Sequence, residues 1–251
     1  MIRIALMLFA LMSFARASAA EIEIALTDDH VAVDTGFAGA RLTLFGAVTG
    51  VDDLSSIDIV AVISGPDSRF KVRRMEKKNI IWAPGSAHYV ENAPGLYLTY
   101  STRPIDDVAP LPIQSSRRLR SGYLDIAVTG RHGAETPPGV AALFRNAFFA
   151  SAEANGLYQT RVGGVSFRKG ALFTIDARLP ANTPVGAYDV AVYLFRNGEL
   201  LSADTAKLAV NRVGLERRIF EFAHRQSVVY GFFCVLLSLV AGWAAAFAFR
   251  K

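Results

Sequence analysis

Cysteine is almost absent from this sequence of 251 residues, and its one cysteine, Cys234, lies inside an apolar run. A single thiol cannot form an intramolecular disulfide, so the hydrophobic core alone must hold the fold together. The same count excludes metal sites built from several cysteines and dithiol redox chemistry.

Catalytic motifs are lacking as well. The sequence contains no G-x-S-x-G, no phosphate-binding loop and no dinucleotide fingerprint. One S-x-x-K match, Ser166 to Lys169, lies in a predicted β-hairpin, where no helical turn brings the lysine onto the serine. The histidines lack the spacing of metal ligands; they are His30, His88, His132 and His224. The sequence therefore predicts no catalytic residue, metal or cofactor, and it favours a protein that is not an enzyme.

Residues 1–20 follow the order of a signal peptide. Arg3 is followed by 11 uncharged, mostly apolar residues and then by Ala17-Ser18-Ala19, the small residues that signal peptidase accepts. The apolar run is too short to span a bilayer, which needs about 20 residues. We predict cleavage near residue 20 and export of residues 21–213.

The C-terminal run 228–249 contains 22 residues without a charge and predicts a transmembrane helix. Arg250 and Lys251 follow it as a short tail. A long domain behind a cleavable signal is translocated largely regardless of its charge. We therefore predict a single-pass protein with an exported body and a cytoplasmic C-terminus.

The segment 214–227 joins the body to this span. Leu215, Ile219 and Phe222 recur at helical spacing, which predicts an amphipathic helix with its arginines at the level of the lipid headgroups. A plain helical linker fits the segment equally well.

The body, residues 21–213, shows hydrophobic alternation of period two, typical of β-strands. Asn197-Gly198 lies between two such runs and predicts a tight hairpin. Many short strands at this spacing predict a mainly β fold, an Ig-like β-sandwich. The predicted strands are 21–26, 40–48, 57–63, 69–73, 96–101, 171–179, 188–195 and 199–210.

One helix interrupts the strands, over 138–155, followed by Gly156 as a stop signal. Its predicted apolar face consists of Val140, Leu143, Phe144, Ala147 and Phe148. The irregular stretch near 104–136 is a candidate boundary inside the body, although we favour one composite ectodomain.

The net charge of +5 raises the question of an anionic partner. An exported protein rarely meets nucleic acid, so anionic lipid or small anions are the predicted partner class. An edge strand guarded by charge against aggregation would explain the first of two basic clusters as well. The candidate contacts are Arg69, Lys71 and Arg73, which alternate along one strand, and Arg117, Arg118 and Arg120.

Small residues form a stripe in the predicted span: Ser238, Gly242 and Ala246 recur every four positions. Such stripes let helices approach closely in lipid, which predicts packing against a second copy or a membrane partner. Chance recurrence in an alanine-rich helix is the alternative.

Several blocks of the sequence carry a family resemblance. LPANTPVGAYDVAVYLFRNGE, LFRNAFFASAEANGLYQTRVGGVSF, FAGARLTLFGAV and the C-terminal GWAAAFAFRK resemble the "Putative transmembrane protein" family of alphaproteobacteria. The resemblance implies an inner-membrane protein that faces the periplasm, and it carries over no catalytic residue. Family members are often encoded beside sulfite-exporter-type permeases, which implies a permease as the partner.

We therefore expect a membrane-anchored periplasmic accessory or binding module that presents a β-sandwich. Two alternatives stay open. The protein could be a periplasmic anion sensor that uses the basic clusters, or an enzyme whose site is assembled from residues distant in sequence.

Overall fold

The computed structural model of the protein describes residues 20–51, 53–78, 81–168, 171–212, 223–224 and 227–248. These residues divide into two compact units. The larger unit contains 20–31 and the described residues from 38 to 210, and the smaller contains 32–37 and those beyond 210. The predicted signal peptide lies outside the described residues except for Ala20.

Thirteen strands and four helices are described. The helices are α1 (Ile105–Val108), α2 (Leu111–Ser116), α3 (Pro138–Ala154) and α4 (Ser227–Ala248). The strands are β1 (Glu21–Leu26), β2 (His30–Val33), β3 (Ala40–Thr49), β4 (Ile57–Ser64), β5 (Asp67–Lys78), β6 (Ile81–Pro94), β7 (Tyr97–Ser101), β8 (Ala127–Thr129), β9 (Tyr158–Val162), β10 (Val165–Phe167), β11 (Leu172–Leu179), β12 (Gly186–Arg196) and β13 (Glu199–Arg212).

The strands form three sheets, ordered β1-β3-β11-β10, β2-β13-β12-β4-β7-β9 and β5-β6-β8. Neighbours pair antiparallel along β13-β12-β4-β7, and β9 then adds to β7 in parallel. The predicted mainly β class is therefore confirmed.

The predicted hairpin between β12 and β13 is confirmed in its geometry. Asn197 and Gly198 have φ angles of 50° and 84°, and Arg196 pairs with Glu199 across the turn. Both residues thus occupy the left-handed region that a tight hairpin turn of this kind requires.

The core lies on both faces of the six-stranded sheet, because seven of the eight residues of β4 are buried. On one face, Val60 and Val62 of β4 join a buried cluster with Val90 of β6 and Phe148 of α3. On the other face, Ile59 and neighbouring apolar residues of β12 are also buried. A continuous apolar run such as β4 is typical of a strand that is covered on both sides.

The helix predicted over 138–155 is present as α3, but its predicted apolar face is partly wrong. Phe144 and Phe148 are buried, as expected, together with Ala152. Val140 and Leu143 are instead 38% and 45% exposed, and Ala147 is exposed as well. The buried residues follow the spacing i, i+4, i+8. The helix is therefore turned about its own axis relative to the prediction, so that the side bearing Val140 and Leu143 faces solvent.

The stretch 104–136 contains α1, α2 and β8, and its proposed role as an internal boundary stays a prediction. Most of the predicted amphipathic segment, at 214–222 and 225–226, lies outside the described residues. Searched over the described part of the chain, none of the helices is long and apolar enough to cross a membrane. The span predicted over 228–249 therefore stays a prediction, and α4 covers most of the same residues.

Candidate functional site

A cavity of about 540 Å³ lies on the outer face of the three-stranded sheet. We call it the basic cavity, because three of its lining residues are the cations Lys71, Arg73 and Arg131. No aspartate or glutamate is among the described residues that line it. Ser86 and Tyr89 are further polar lining residues, and His88 borders the cavity while its ring packs against Phe144 of α3.

Strand register explains why these cations meet. Arg73 of β5 pairs with Ala87 of β6, and Lys71 pairs with Tyr89. Tyr89 in turn pairs with Thr129 at the end of β8. Arg131 follows Thr129 by two residues, in the short turn after β8, and lines the same cavity as Arg73 and Ala87.

Small residues leave the space between these cations. Gly85, Ser86 and Ala87 line the cavity, and the pairing of β5 with β6 shifts register between Arg73 and Met75, opposite these residues. Such bulges bend a strand and often lie beside binding sites.

The charges of the three cations are not neutralised by a neighbouring acid. In the described part of the chain, Lys71, Arg73 and Arg131 make no ion pair. The Glu76 side chain packs close to Gly85 but forms no ion pair with any of them. The basic cavity therefore concentrates positive charge on an exposed part of the protein surface.

Arg69, on the same exposed face of β5, differs from its neighbours. Its Nε lies 3.1 Å from Oε1 of Glu91, and its guanidinium lies 4.2 Å above the ring of Tyr89. Arg69 thus has an acidic and an aromatic partner already. β5 is an edge strand of its sheet, as the charge-guard interpretation requires.

Lys71 and Arg73 also border a second cavity, of about 400 Å³, on the side of α3. Phe148 and Ala152 of α3 line it together with Phe70 and Val72, the half-buried neighbours of the two cations. Ser151 and Asn155 of α3 add polar groups to this lining.

The second predicted cluster lies elsewhere. Arg117 and Arg118 line a cavity of about 580 Å³ with Asp67, Asp125 and Asp189. We call it the mixed cavity, because acidic side chains offset the two arginines. Balanced charge of this kind does not favour an anion over a cation.

Two tyrosines hold the arginines of the mixed cavity. The Tyr97 hydroxyl donates a hydrogen bond to the carbonyl oxygen of Arg118, and burial raises the pKa of Tyr97 well above its usual value. Arg117 lies 6.0 Å from the ring centroid of Tyr193. These contacts give both arginines a structural role.

Arg120, the third member of that cluster, is paired at the surface. Its guanidinium lies 2.6 Å from Oδ2 of Asp106, and this hydrogen bond holds the pKa of Asp106 below its usual value. The structure therefore brings Lys71 and Arg73 together with Arg131, and it places Arg117, Arg118 and Arg120 apart from them.

Arg131 and His88 were not predicted as site residues. Arg131 follows a strand of only three residues, too short for its alternation to show a register from the sequence. The His88 ring stacks on Phe144, with centroids 3.9 Å apart, and its Nδ1 is buried without a hydrogen-bond partner among the described residues. No sequence pattern signalled either contact.

The small-residue stripe lies on α4. Ser238 donates a hydrogen bond to the carbonyl oxygen of Cys234, 2.8 Å away in the preceding turn. A Cβ atom added at Gly242 would meet no atom within 4 Å. The side chain of Ala246 lies outside the described residues, so packing through this stripe stays a prediction.

Within the described residues, no three His, Cys, Asp or Glu side chains are grouped as a metal site would require. Among known families, the one described as "Putative transmembrane protein (Alph_Pro_TM)" matches residues 21–251 of the chain. No curated protein matches it.

Proposed function

Because the chain belongs to the Alph_Pro_TM family, we propose that it is a membrane-anchored accessory or binding module without enzymatic activity. In this proposal the uncharged run 228–249, most of which α4 covers, holds it in the bacterial inner membrane. The signal peptide exports the β-rich body to the periplasm, and the two-residue tail stays in the cytoplasm.

The main support for a membrane anchor is the exposed apolar surface of α4. Nine large apolar side chains between Val229 and Trp243 are 48% to 72% exposed. Contact of apolar surface with water costs about 25 cal/mol per Å², and this cost disappears in hydrocarbon. The 22 residues of α4 carry no charged side chain, in keeping with a lipid environment.

A β-sandwich is the proposed architecture of the body. Buried and exposed residues alternate along β3, as expected when one face of a sheet covers a second sheet. The amide of Ile24 in β1 donates to Asp204 in β13 over 2.9 Å, and the amide of Arg178 in β11 donates to the Tyr100 hydroxyl in β7 over 3.4 Å. Both hydrogen bonds join the four-stranded to the six-stranded sheet.

The anchor and the orientation are tested by fractionation and protease treatment of spheroplasts. We expect a mature N-terminus near residue 20 by mass spectrometry, a body digested from outside, and a helix resistant to carbonate extraction. The double variant Leu236→Arg/Leu239→Arg should release the protein, since each arginine at a bilayer centre costs about 3 kcal/mol or more.

Leu172→Arg is the matched control, because Leu172 is an exposed apolar residue of β11. It should leave the protein in the membrane fraction. A body protected in intact spheroplasts, or a double variant that resists carbonate extraction, would contradict the proposed topology.

A permease is the proposed partner, as the family resemblance implies. Affinity purification of the full chain from mild detergent should recover a polytopic transport protein. Repeated recovery of the chain alone would count against the accessory role and would leave the topology unaffected.

A further inference from the structure

We propose that the basic cavity binds a small oxoanion group, such as sulfate, phosphate or a phosphate monoester. This inference deepens the proposed binding function by naming its ligand class and rests on that function. The cavity is lined by Lys71, Arg73 and Arg131, with Ser86 as a further hydrogen-bond donor.

The first support for an oxoanion site is that positive charges from two separate segments of the chain meet at one cavity. Lys71 and Arg73 come from β5, and Arg131 comes from the turn after β8, at the other edge of the same sheet. Guarding the β5 edge against aggregation requires only the cations on β5. That role does not explain why Arg131, at the opposite edge of the sheet, lines the same cavity as the two cations of β5. Nor does it explain why small residues of the middle strand, β6, lie between them.

The second support is that, among the described residues, no acidic side chain forms an ion pair with these three cations. Three described acids pair elsewhere: Glu91 with Arg69, Asp106 with Arg120, and Asp58 with Arg103. Glu76 packs beside Gly85 of the lining but forms no ion pair with the three cations. Like charges that share one cavity repel each other, and a bound anion removes that repulsion. Two arginines can each give bidentate hydrogen bonds to an oxoanion, and Lys71 adds a point charge.

The third support is the volume of the basic cavity, which also limits the size of the ligand. The volume of about 540 Å³ is many times the share of one water molecule, about 30 Å³. It admits a hydrated ion or the phosphorylated end of a larger molecule. The free ion and a lipid phosphate present the same oxygen chemistry, so the experiment must separate these sources.

The test uses the purified full chain in a neutral detergent, titrated with sodium sulfate and sodium phosphate at constant ionic strength against sodium chloride. Calorimetry should show saturable binding of sulfate or phosphate and not of chloride. Dihexanoyl phosphatidic acid, compared with dihexanoyl phosphatidylcholine, forms the lipid arm. Binding of the free ions identifies a soluble ligand, and binding of the phosphatidic acid alone identifies a lipid headgroup; either result supports the oxoanion site.

Variants locate the site. Arg73→Gln and Arg131→Gln should each weaken binding at least tenfold. Arg74→Gln removes the same charge one residue along β5, outside the cavity lining, and should weaken it less than threefold. Circular dichroism spectra that match those of the unchanged protein establish that each variant is folded.

Failure to bind any oxoanion more tightly than chloride overturns the proposal. So does binding that survives both substitutions, or that falls equally in Arg74→Gln. These outcomes are independent of the anchor, because the titration takes place in detergent and the protease experiment reports topology alone.

Discussion

At the scale of single residues, the best-defined electrostatic feature is the carboxylate of Asp58 at the start of β4. Asp58 is only 4% exposed, and its Oδ1 accepts hydrogen bonds from Arg103 Nε at 2.8 Å and from Thr102 Oγ1 at 2.7 Å. Burial alone would raise the pKa of Asp58, but the hydrogen bonds from Arg103 and Thr102, with the charge of Arg103, outweigh it and lower that pKa. The ionised carboxylate thus joins β4 to the residues that follow β7.

This arrangement predicts that Asp58→Asn reduces the free energy of unfolding by about 1–3 kcal/mol at pH 7, since Arg103 and Thr102 lose a buried, charged acceptor. A lowered folded-state pKa stabilises the fold above the unfolded-state pKa of about 3.9 and loses that effect as the pH falls through the folded-state value. The difference between the two proteins should therefore shrink at about pH 3. Denaturant unfolding of the full chain in detergent at both pH values measures it.

Asp189→Asn is the control for Asp58→Asn. Asp189 is an exposed carboxylate paired with Lys207, and exposed ion pairs of this kind contribute at most about 1 kcal/mol. Equal losses for the two variants, or a loss for Asp58→Asn that does not change with pH, would contradict the role assigned to Asp58.

At the scale of elements, the basic run 117–120 forms the turn that ends α2. Leu119 N donates to the Gln114 carbonyl at 2.9 Å, and Arg118 has a φ of 49°. This is the position after a helix end where glycine is usual. The backbone of Arg118 is therefore strained. The sequence did not show this strain, because Arg118 reads there only as part of a basic run.

We predict that Arg118→Gly raises the free energy of unfolding, by about 0.5–1 kcal/mol, because glycine adopts this conformation without a steric penalty. The carbonyl that accepts the Tyr97 hydrogen bond is retained in the variant. Chemical denaturation of the full chain in detergent provides the measurement.

Arg117→Gly is the matched comparison, since Arg117 has an ordinary φ of −94°. There glycine only adds freedom to the unfolded chain, and stability should fall by about 0.5–1 kcal/mol. The two neighbouring substitutions should thus differ in sign. Destabilisation by both would show that the Arg118 side chain stabilises the mixed cavity more than its backbone strains it.

Elements also show what local patterns could predict. β1, β3, β4, β12 and β13 were predicted within three residues of their observed ends, because alternation and turn residues act locally. β6 was missed, since Pro84, Gly85 and Ser86 interrupt its pattern at the bulge. β9 is too short for alternation to distinguish it from a loop. β10 pairs antiparallel with β11, as the hairpin predicted around Ser166 requires.

At the scale of the whole molecule, the proposed span predicts association through its small residues. Gly242→Ile should weaken crosslinking of the chain to a second copy or to its partner, because a branched side chain separates helices that approach at small residues. Crosslinking in native membranes, followed by electrophoresis, measures the change.

Ala244→Ile adds the same bulk two residues along, about 200° around the helix, and should leave the crosslinked products unchanged. A crosslinking pattern that Gly242→Ile does not alter would remove the stripe as an interaction surface.

Local order along the chain determined most strands of the body, the helix α3, the hairpin at Asn197 and Gly198, and membership of the Alph_Pro_TM family. These features depend on neighbouring residues, whose periodicity and turn chemistry are readable from one sequence. Only the tertiary structure decided which strands pair and therefore which cations meet. Arg131 joins Lys71 and Arg73 because β6 lies between β5 and β8. Arg120 instead pairs with Asp106, Arg117 lies near the Tyr193 ring, and the Arg118 carbonyl accepts a hydrogen bond from Tyr97. Such long-range pairing is set by how three sheets bury their apolar faces together, and no local pattern records it.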